Sequence, residues 1–236
     1  MTDNIDALTG LMNLQGSQQV LEEAIADARR YGGPLSIFLL DVDNFGGINE
    51  QHGRQAGDDV LKRLAHILEA NFQGKAGRIM NAETPVEDVR AMGVAGRVAG
   101  DEFIVVMPGQ PADSAFILAD EVRRLVEESD VTVTQDGRTY NVRFNISGGI
   151  ASYPTDAAQP VDLMRKAGEA LYRSKRIGRN RISLPSSAQM ITKTSYYTQI
   201  QLERLAALAR AQDKTEAFLL REALDELLRK YDESGK

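Results

Sequence analysis

"RVAGDEFIVVMP", residues 97–108, sets two adjacent acids, Asp101 and Glu102, between two apolar runs. The runs read as strands and the acids as the turn between them. A tight turn needs only Gly, Asn or a single Asp. A second carboxylate at that point therefore invites a chemical reading. Upstream, "LSIFLLDVD" (35–43) is a continuous apolar run that ends in acids. That pattern predicts a strand buried on both faces.

Working outward, residues 13–31 predict a helix, with Leu21, Ile25 and Ala28 at helical spacing and Gly32-Gly33-Pro34 as the stop. A glycine-rich loop is expected after the 35–43 strand. Residues 57–72 then carry Val60, Leu61, Leu64, Ile67 and Leu68 on one helical face. Residues 73–92 are polar and irregular and read as an exposed excursion. A helix is expected over 113–129, opened by an Asp or Ser cap. Residues 131–154 read as two strands joined at Asp136-Gly137, and 161–178 as a further helix. The order contains the β-α-β-β-α-β split unit. The fold class is thus α+β, a ferredoxin-like domain with a mainly antiparallel central sheet. In that topology the first strand lies beside the hairpin, so Asp41 approaches Asp101.

"SLPSSAQM" (183–190) is small, polar and interrupted by proline, and it marks a boundary. The expected organisation is a domain over 1–184, a linker over 185–191 and a small unit over 192–236. The last part holds two amphipathic helical patterns, "IQLERLAALARAQ" and "TEAFLLREALDELLRKY". A tail of roughly 45 residues is too short to build a good core alone, and dimerisation would solve that.

Composition narrows the chemistry. The chain has 236 residues, 42% of them hydrophobic and 26% charged, as a soluble globular protein does. A net charge of −6 gives no global signature of a nucleic-acid or membrane binder. There are no cysteines and only two histidines, His52 and His66, which argues against zinc and thiolate chemistry. No run is long enough to span a membrane, and the polar start "MTDNIDALTG" is unlike a secretory signal. A cytoplasmic location is the expectation.

Magnesium is commonly held by one or two carboxylates plus substrate phosphates. Asp41 and Asp101 on neighbouring strands fit that need, with Glu102 beside them for a second metal or for deprotonating a hydroxyl. The alternative is a solvated turn beside a polar strand end. Asn49 and Asp58 bracket the loop before the 57–72 helix. Together an amide and a carboxylate match the acceptor and donor edges of guanine, although Asp58 alone reads better as a helix-start acid. "YRSKRIGRN" (172–180) gathers Arg173, Lys175, Arg176 and Arg179. The cluster suits a triphosphate, or else is a solvated helix end.

Five stretches then coincide: "DALTGLMN" (6–13), "DVDNFGGINEQHGRQAGD" (41–58), "AGDEF" (99–103), "SGGIASYP" (147–154) and "ALYRSKRIGRN" (170–180). In order and spacing they resemble the GGDEF-domain diguanylate cyclases over roughly residues 5–184. The resemblance implies a palm-type nucleotide-cyclase fold. It also implies condensation of two GTP into cyclic di-GMP with release of two pyrophosphates, supported by Mg²⁺ or Mn²⁺. It assigns metal binding to Asp41, Asp101, Glu102 and the Val42 carbonyl. Glu102 assists attack of the ribose 3′-hydroxyl. Asn49 and Asp58 read guanine, Lys175 and Arg179 hold phosphate, and Gly100 lets the nucleotide lie close. Phe45 matches the aromatic of the family's Phe-Lys pair and is counted with the substrate residues.

The departures are specific. Ala99 replaces the first signature glycine and is expected to fit if its φ is negative. Gly46 replaces the lysine after Phe45, and Leu14 replaces the basic residue after Asn13, so positive charge is missing near the expected phosphates. Arg90 matches the arginine of the family's product-inhibition motif, but Gly93 stands where its acid belongs. The 73–92 segment is longer than usual for the family.

The tail resembles a ribbon-helix-helix domain, whose paired strands enter the DNA major groove in an intertwined dimer. That resemblance turns Thr192, Thr194 and Tyr196 toward the groove, packs Tyr197 inward and sets the amides around Lys214-Thr215 against phosphate. From residue 190 on there are eight Lys/Arg and eight Asp/Glu, a neutral balance that lowers nonspecific DNA affinity. The leading expectation is a homodimeric, magnesium-dependent cyclase coupled to DNA. The alternatives are a weak or inactive domain sensing nucleotide for a DNA-binding regulator, a repressor with a vestigial cyclase domain, and a tail that only dimerises.

Overall fold

The computed structural model of the chain describes residues 4–72, 93–135, 138–185 and 197–211, and the separate positions 216, 219, 220, 223, 224 and 227. Its elements run α1 (Leu14–Tyr31), β1 (Leu35–Val42), α2 (Phe45–Phe72), β2 (Val94–Ala99), β3 (Glu102–Pro108) and α3 (Ala112–Glu127). They continue with β4 (Asp130–Gln135), β5 (Arg138–Arg143), β6 (Ile146–Tyr153), α4 (Pro160–Arg176), β7 (Ile182–Ser183) and α5 (Gln199–Ala211). The chain divides into two compact units, Met1–Gln189 and Met190–Lys236.

The first unit is built on a five-stranded sheet ordered β2-β3-β1-β6-β7. All pairings are antiparallel except β6 with β7. The expected central sheet is therefore present, and the hairpin β2–β3 lies directly beside β1. All eight residues of β1 are buried, because helices cover both faces. The strand's period of two sorts its side chains between them. Phe38, Leu40 and Val42 join Val60, Leu64 and Val122 on the α2 and α3 side. Leu35, Ile37 and Leu39 join Leu21, Ile25 and Leu163 on the α1 and α4 side.

Two local expectations are corrected. The glycine-rich stretch after β1 is helical from Phe45, and only Gly53, at φ 80° and ψ 162°, breaks α2 into two pieces. Ile48, only 9% exposed, secures the first piece in the core, and this packing outweighs the low helix propensity of its glycines. The span 131–154 holds three strands rather than two. β4 and β5 form a separate two-stranded sheet, and β6 begins anew at Ile146 in the main sheet.

Helix α4 reaches β6 through a gap that only glycine leaves open. A Cβ on Gly149 would stand 2.1 Å from the Ala167 carbonyl oxygen and 2.2 Å from the Leu171 nitrogen. Both are backbone atoms of the helix and cannot rotate away. Gly149→Ala is therefore expected to cost about 3 kcal/mol of stability, read as a lower urea midpoint at unchanged slope.

In the second unit, α5 carries exposed Ile200, Leu202 and Leu208 and buried Ala209. Positions 216, 219, 220, 223, 224 and 227 are also helical. Thr192, Thr194, Tyr196, Lys214 and Thr215, expected at DNA, lie outside the described residues, as do Arg90 and the 73–92 segment. Among the described residues no helix is long and apolar enough to cross a membrane.

Candidate active site

The alternation of β1 decides where Asp41 points. Asp41 continues the odd-numbered series of Leu35, Ile37 and Leu39, and so faces the α4 layer. Its residue is 4% exposed. In the last turn of α4, Lys175 places Nζ 2.5 Å from Asp41 Oδ2. Across the sheet, Glu102 lies opposite Asp41 in the β1–β3 register. Glu102 continues the series of Ile104 and Val106, which pack on the same α1 and α4 side. Asp101 sits in the hairpin turn, and its carbonyl accepts the Val42 N–H at 3.3 Å. The three acids expected at one end of β1 are thus brought together there.

Burial pushes the Asp41 carboxyl up to about 6. The hydrogen bond from Lys175 works against this rise, while the charges of Asp101 and Glu102 add to it. The other oxygen, Asp41 Oδ1, is buried and has no hydrogen-bond partner among the described residues. A buried acceptor left unpaired is costly. A divalent cation held by hard oxygen ligands would satisfy it, so the donor set fits magnesium or manganese. Among the described residues no three acidic or imidazole side chains form a ready-made cage.

The hairpin turn has the backbone such a site needs. Gly100 has φ 49°, a conformation that favours glycine. Ala99 ends β2, paired with Glu102, and is absent from the positive-φ residues. Its methyl group is therefore accommodated, as expected. The turn is also anchored from behind. Arg97 Nε donates to the Gly100 carbonyl at 2.8 Å, and its Nη1 pairs with Asp6 at 3.1 Å. Asp6 in turn accepts from the Thr9 amide and hydroxyl. Burial tends to raise the Asp6 carboxyl, but the bonds from Thr9 and Arg97 outweigh it and hold it below the usual range. Beside this anchor opens a cleft of about 540 Å³ lined by Asp6, Asn13, Leu14, Arg97, Ala99 and Gly100.

The break in α2 turns Asn49 against the backbone at Gly57, next to Asp58 in sequence. Asn49 lies in the first piece, Asp58 in the second, and both are half-buried. The Asn49 amide oxygen occupies the place a side chain on Gly57 would take, 2.0 Å from such a Cβ, with the Phe45 ring 3.1 Å away. Phe45, Asn49 and the 57–58 backbone therefore form one corner. Gly57→Ala is expected to displace the Asn49 amide and raise the KM for the guanine nucleotide expected at this corner about tenfold, with kcat changed less. Initial-rate kinetics check that split.

The loop after α4 is pinned at Asn180, next to the exposed Arg179. Asp43 Oδ2 accepts the Asn180 N–H at 2.9 Å, and Asp43 Oδ1 accepts the Ser147 hydroxyl at 2.7 Å. The Asn180 amide nitrogen donates to Glu127 at 2.8 Å, and its oxygen accepts from Arg123 at 3.1 Å. Arg179 and Asn180 both have positive φ, 59° and 45°. This network, with Asp43 at its centre, was not assigned from sequence. Nor was the Asp6–Arg97 anchor, although both acids lie inside quoted motifs. Their partners are far away along the chain, and no local spacing announces them.

Comparison with known proteins bears on the family and the fold. The profile of the family described as "Diguanylate cyclase, GGDEF domain" matches residues 3–79 and 82–181. The chain is 35% identical over 150 residues to diguanylate cyclase A of Treponema denticola, covering 64% of this chain and 35% of that protein. It is 31% identical over 177 residues to the response regulator PleD of Caulobacter vibrioides, covering 75% and 35%. The chain thus spans about a third of the length of these relatives. Among solved structures, it superposes with a TM-score of 0.61 and 29% identity on the active GGEEF domain of a diguanylate cyclase from Vibrio cholerae, covering 76% of this chain and 99% of that one.

Proposed function

The chain belongs to the GGDEF diguanylate cyclase domain family, and from that premise we propose that it condenses two GTP molecules into cyclic di-GMP. The observation that carries the proposal is the Asp41–Glu102 register beside Lys175, with one Asp41 oxygen left over for a metal. Asn49 and Asp58 bind the guanine edge, with Phe45 closing the corner. Lys175 and Arg179 hold the triphosphate, and Gly100 gives it close access to the hairpin. Asp41, Asp101, Glu102 and the Val42 carbonyl would hold magnesium or manganese. When bound, the ion supplies positive charge to the phosphates as negative charge builds on their oxygens.

Glu102 takes the proton of the ribose 3′-hydroxyl. That oxygen bonds to the α-phosphorus of the other GTP, and pyrophosphate departs in line. The same exchange in the opposite direction closes the ring and releases the second pyrophosphate. Each site holds one nucleotide, so two chains must face each other. We assign that pairing to the tail as a ribbon-helix-helix dimer, and DNA as its further partner. The exposed leucines of the tail support pairing. The DNA contact rests on Thr192, Thr194, Tyr196, Lys214 and Thr215, outside the described residues.

A second reading is favoured by one observation. Leu14 lines the cleft beside the hairpin, where the family resemblance led us to expect a basic residue, and Gly46 replaces an expected lysine. With less phosphate-binding charge, the domain would sense GTP or cyclic di-GMP for a DNA-binding regulator. Cyclic di-GMP formation from GTP, followed against protein concentration with and without DNA, separates the readings. Cyclic di-GMP formation whose specific activity climbs with protein up to the dimer dissociation constant and is flat above it supports the cyclase. Tight nucleotide binding without product supports the sensor.

A further inference from the structure

The Lys175–Asp41 pair occupies one of the oxygens assigned to the metal, and this has a consequence for the order of binding. We propose that Lys175 is the resident counter-cation of Asp41, excluding free divalent ions until a nucleotide triphosphate draws its ammonium away. The inference rests on the cyclase reading and adds a rule for how that site fills.

Three observations carry it. First, the Asp41 side chain is 6% exposed, and Lys175 is the cation paired with it among the described residues. A buried carboxylate without a counter-charge is strongly unfavourable, so the ammonium stabilises the empty site. Second, the ammonium takes Oδ2 while Oδ1 has no hydrogen-bond partner among the described residues. A lone metal ion arriving at Oδ1 would share one carboxylate with a second cation, and the two repel. Third, the Lys175 side chain is 33% exposed and sits at the end of α4. Its flexible stem gives it a path to a phosphate in the adjoining site. A triphosphate brings negative charge for the ammonium and oxygens for the metal together. Metal and nucleotide then bind with positive coupling, which linkage makes reciprocal.

Direct Mn²⁺ binding, read from the amplitude of the free-ion electron paramagnetic resonance signal, tests this in the full chain. The wild type is expected to take up Mn²⁺ poorly without nucleotide and at least about tenfold more tightly with a non-hydrolysable GTP analogue. Lys175→Met is expected to bind Mn²⁺ alone at least about tenfold more tightly than the wild type and to lose most of the nucleotide dependence. Lys175→Arg keeps a cation there and is expected to behave as the wild type does. Adding Asp41→Asn to Lys175→Met is expected to remove the gained site. Lys175→Gln gives an independent neutral variant should the methionine disturb folding, which thermal unfolding monitors. Equal Mn²⁺ affinity of wild type and both neutral variants without nucleotide overturns the proposal and leaves the cyclase reading standing. No Mn²⁺ uptake by the wild type even with the analogue overturns both.

Discussion

Asp41→Asn is expected to lower cyclic di-GMP formation roughly a thousandfold and, in metal-free buffer at pH 7, to raise the unfolding temperature. Both effects come from burial. Asp41 lies 4% exposed at the end of β1, with one oxygen on Lys175 and the other without a hydrogen-bond partner among the described residues. An amide has no charge to offer a metal, so turnover falls. The same buried charge is a liability to the fold. The carboxyl titrates near 3.8 in the ordinary state and at about 6 in the folded protein. Its pKa is therefore raised by folding, and the folded state binds the proton more readily. The stability this contributes is fully present below pH 3.8 and is lost as the pH rises to about 6. Above that, the ionised carboxylate costs the fold about 3 kcal/mol relative to a neutral group. Asparagine removes that cost, equivalent to a rise of roughly 6–12 °C for a domain of this size. Lys175, one-third exposed, returns to water when its partner is lost. At pH 4 the advantage of the variant should largely vanish. Equal unfolding temperatures at pH 7 would mean that Lys175 already compensates the charge in full.

This pairing of catalytic loss with stability gain also explains what could be read in advance. The apolar run 35–42 announces a strand covered on both faces, and its alternation decides that Asp41 faces α4. The hairpin acids follow from the two flanking runs. What the chain concealed is tertiary. In "VRFNISGGI", Val142, Phe144 and Ile146 keep an unbroken alternation and are all buried in one core. The backbone nevertheless leaves the β4–β5 sheet at Phe144-Asn145 and enters the main one at Ile146. Periodicity cannot signal a corner that preserves phase. Similarly, "FGGINEQHG" has the composition of a loop, yet Ile48 is drawn into the core and the Asn49 amide fills the space above Gly57. Asp43 resembles any acid at a strand end until Ser147 and Asn180 arrive from remote parts of the sequence.

Removing residues 190–236 is expected to reduce cyclic di-GMP formation about a hundredfold at micromolar protein and to change its concentration dependence. The proposed reaction joins two nucleotides held on two chains, so its rate is expected to follow the population of paired domains. A tail that dimerises raises the local concentration of one half-site near the other to roughly millimolar. Without it, pairing at micromolar concentration becomes a rare encounter. The tail has the surface for the task. Leu202, Leu208, Leu224 and Leu227 are all more than 40% exposed, an apolar load that a chain of this length cannot bury on its own. Its eight basic and eight acidic residues leave no net charge to resist association. The remaining domain keeps both core clusters, the acid pair and Lys175, all within the first compact unit. It should therefore fold, bind GTP with a KM near that of the full chain, and sediment as a monomer. Its specific activity should climb in proportion to protein concentration, whereas that of the full chain should be flat above the dimer dissociation constant. A truncated domain as active as the full chain at one micromolar would place the dimer contact inside residues 1–189 and leave the tail free for DNA alone.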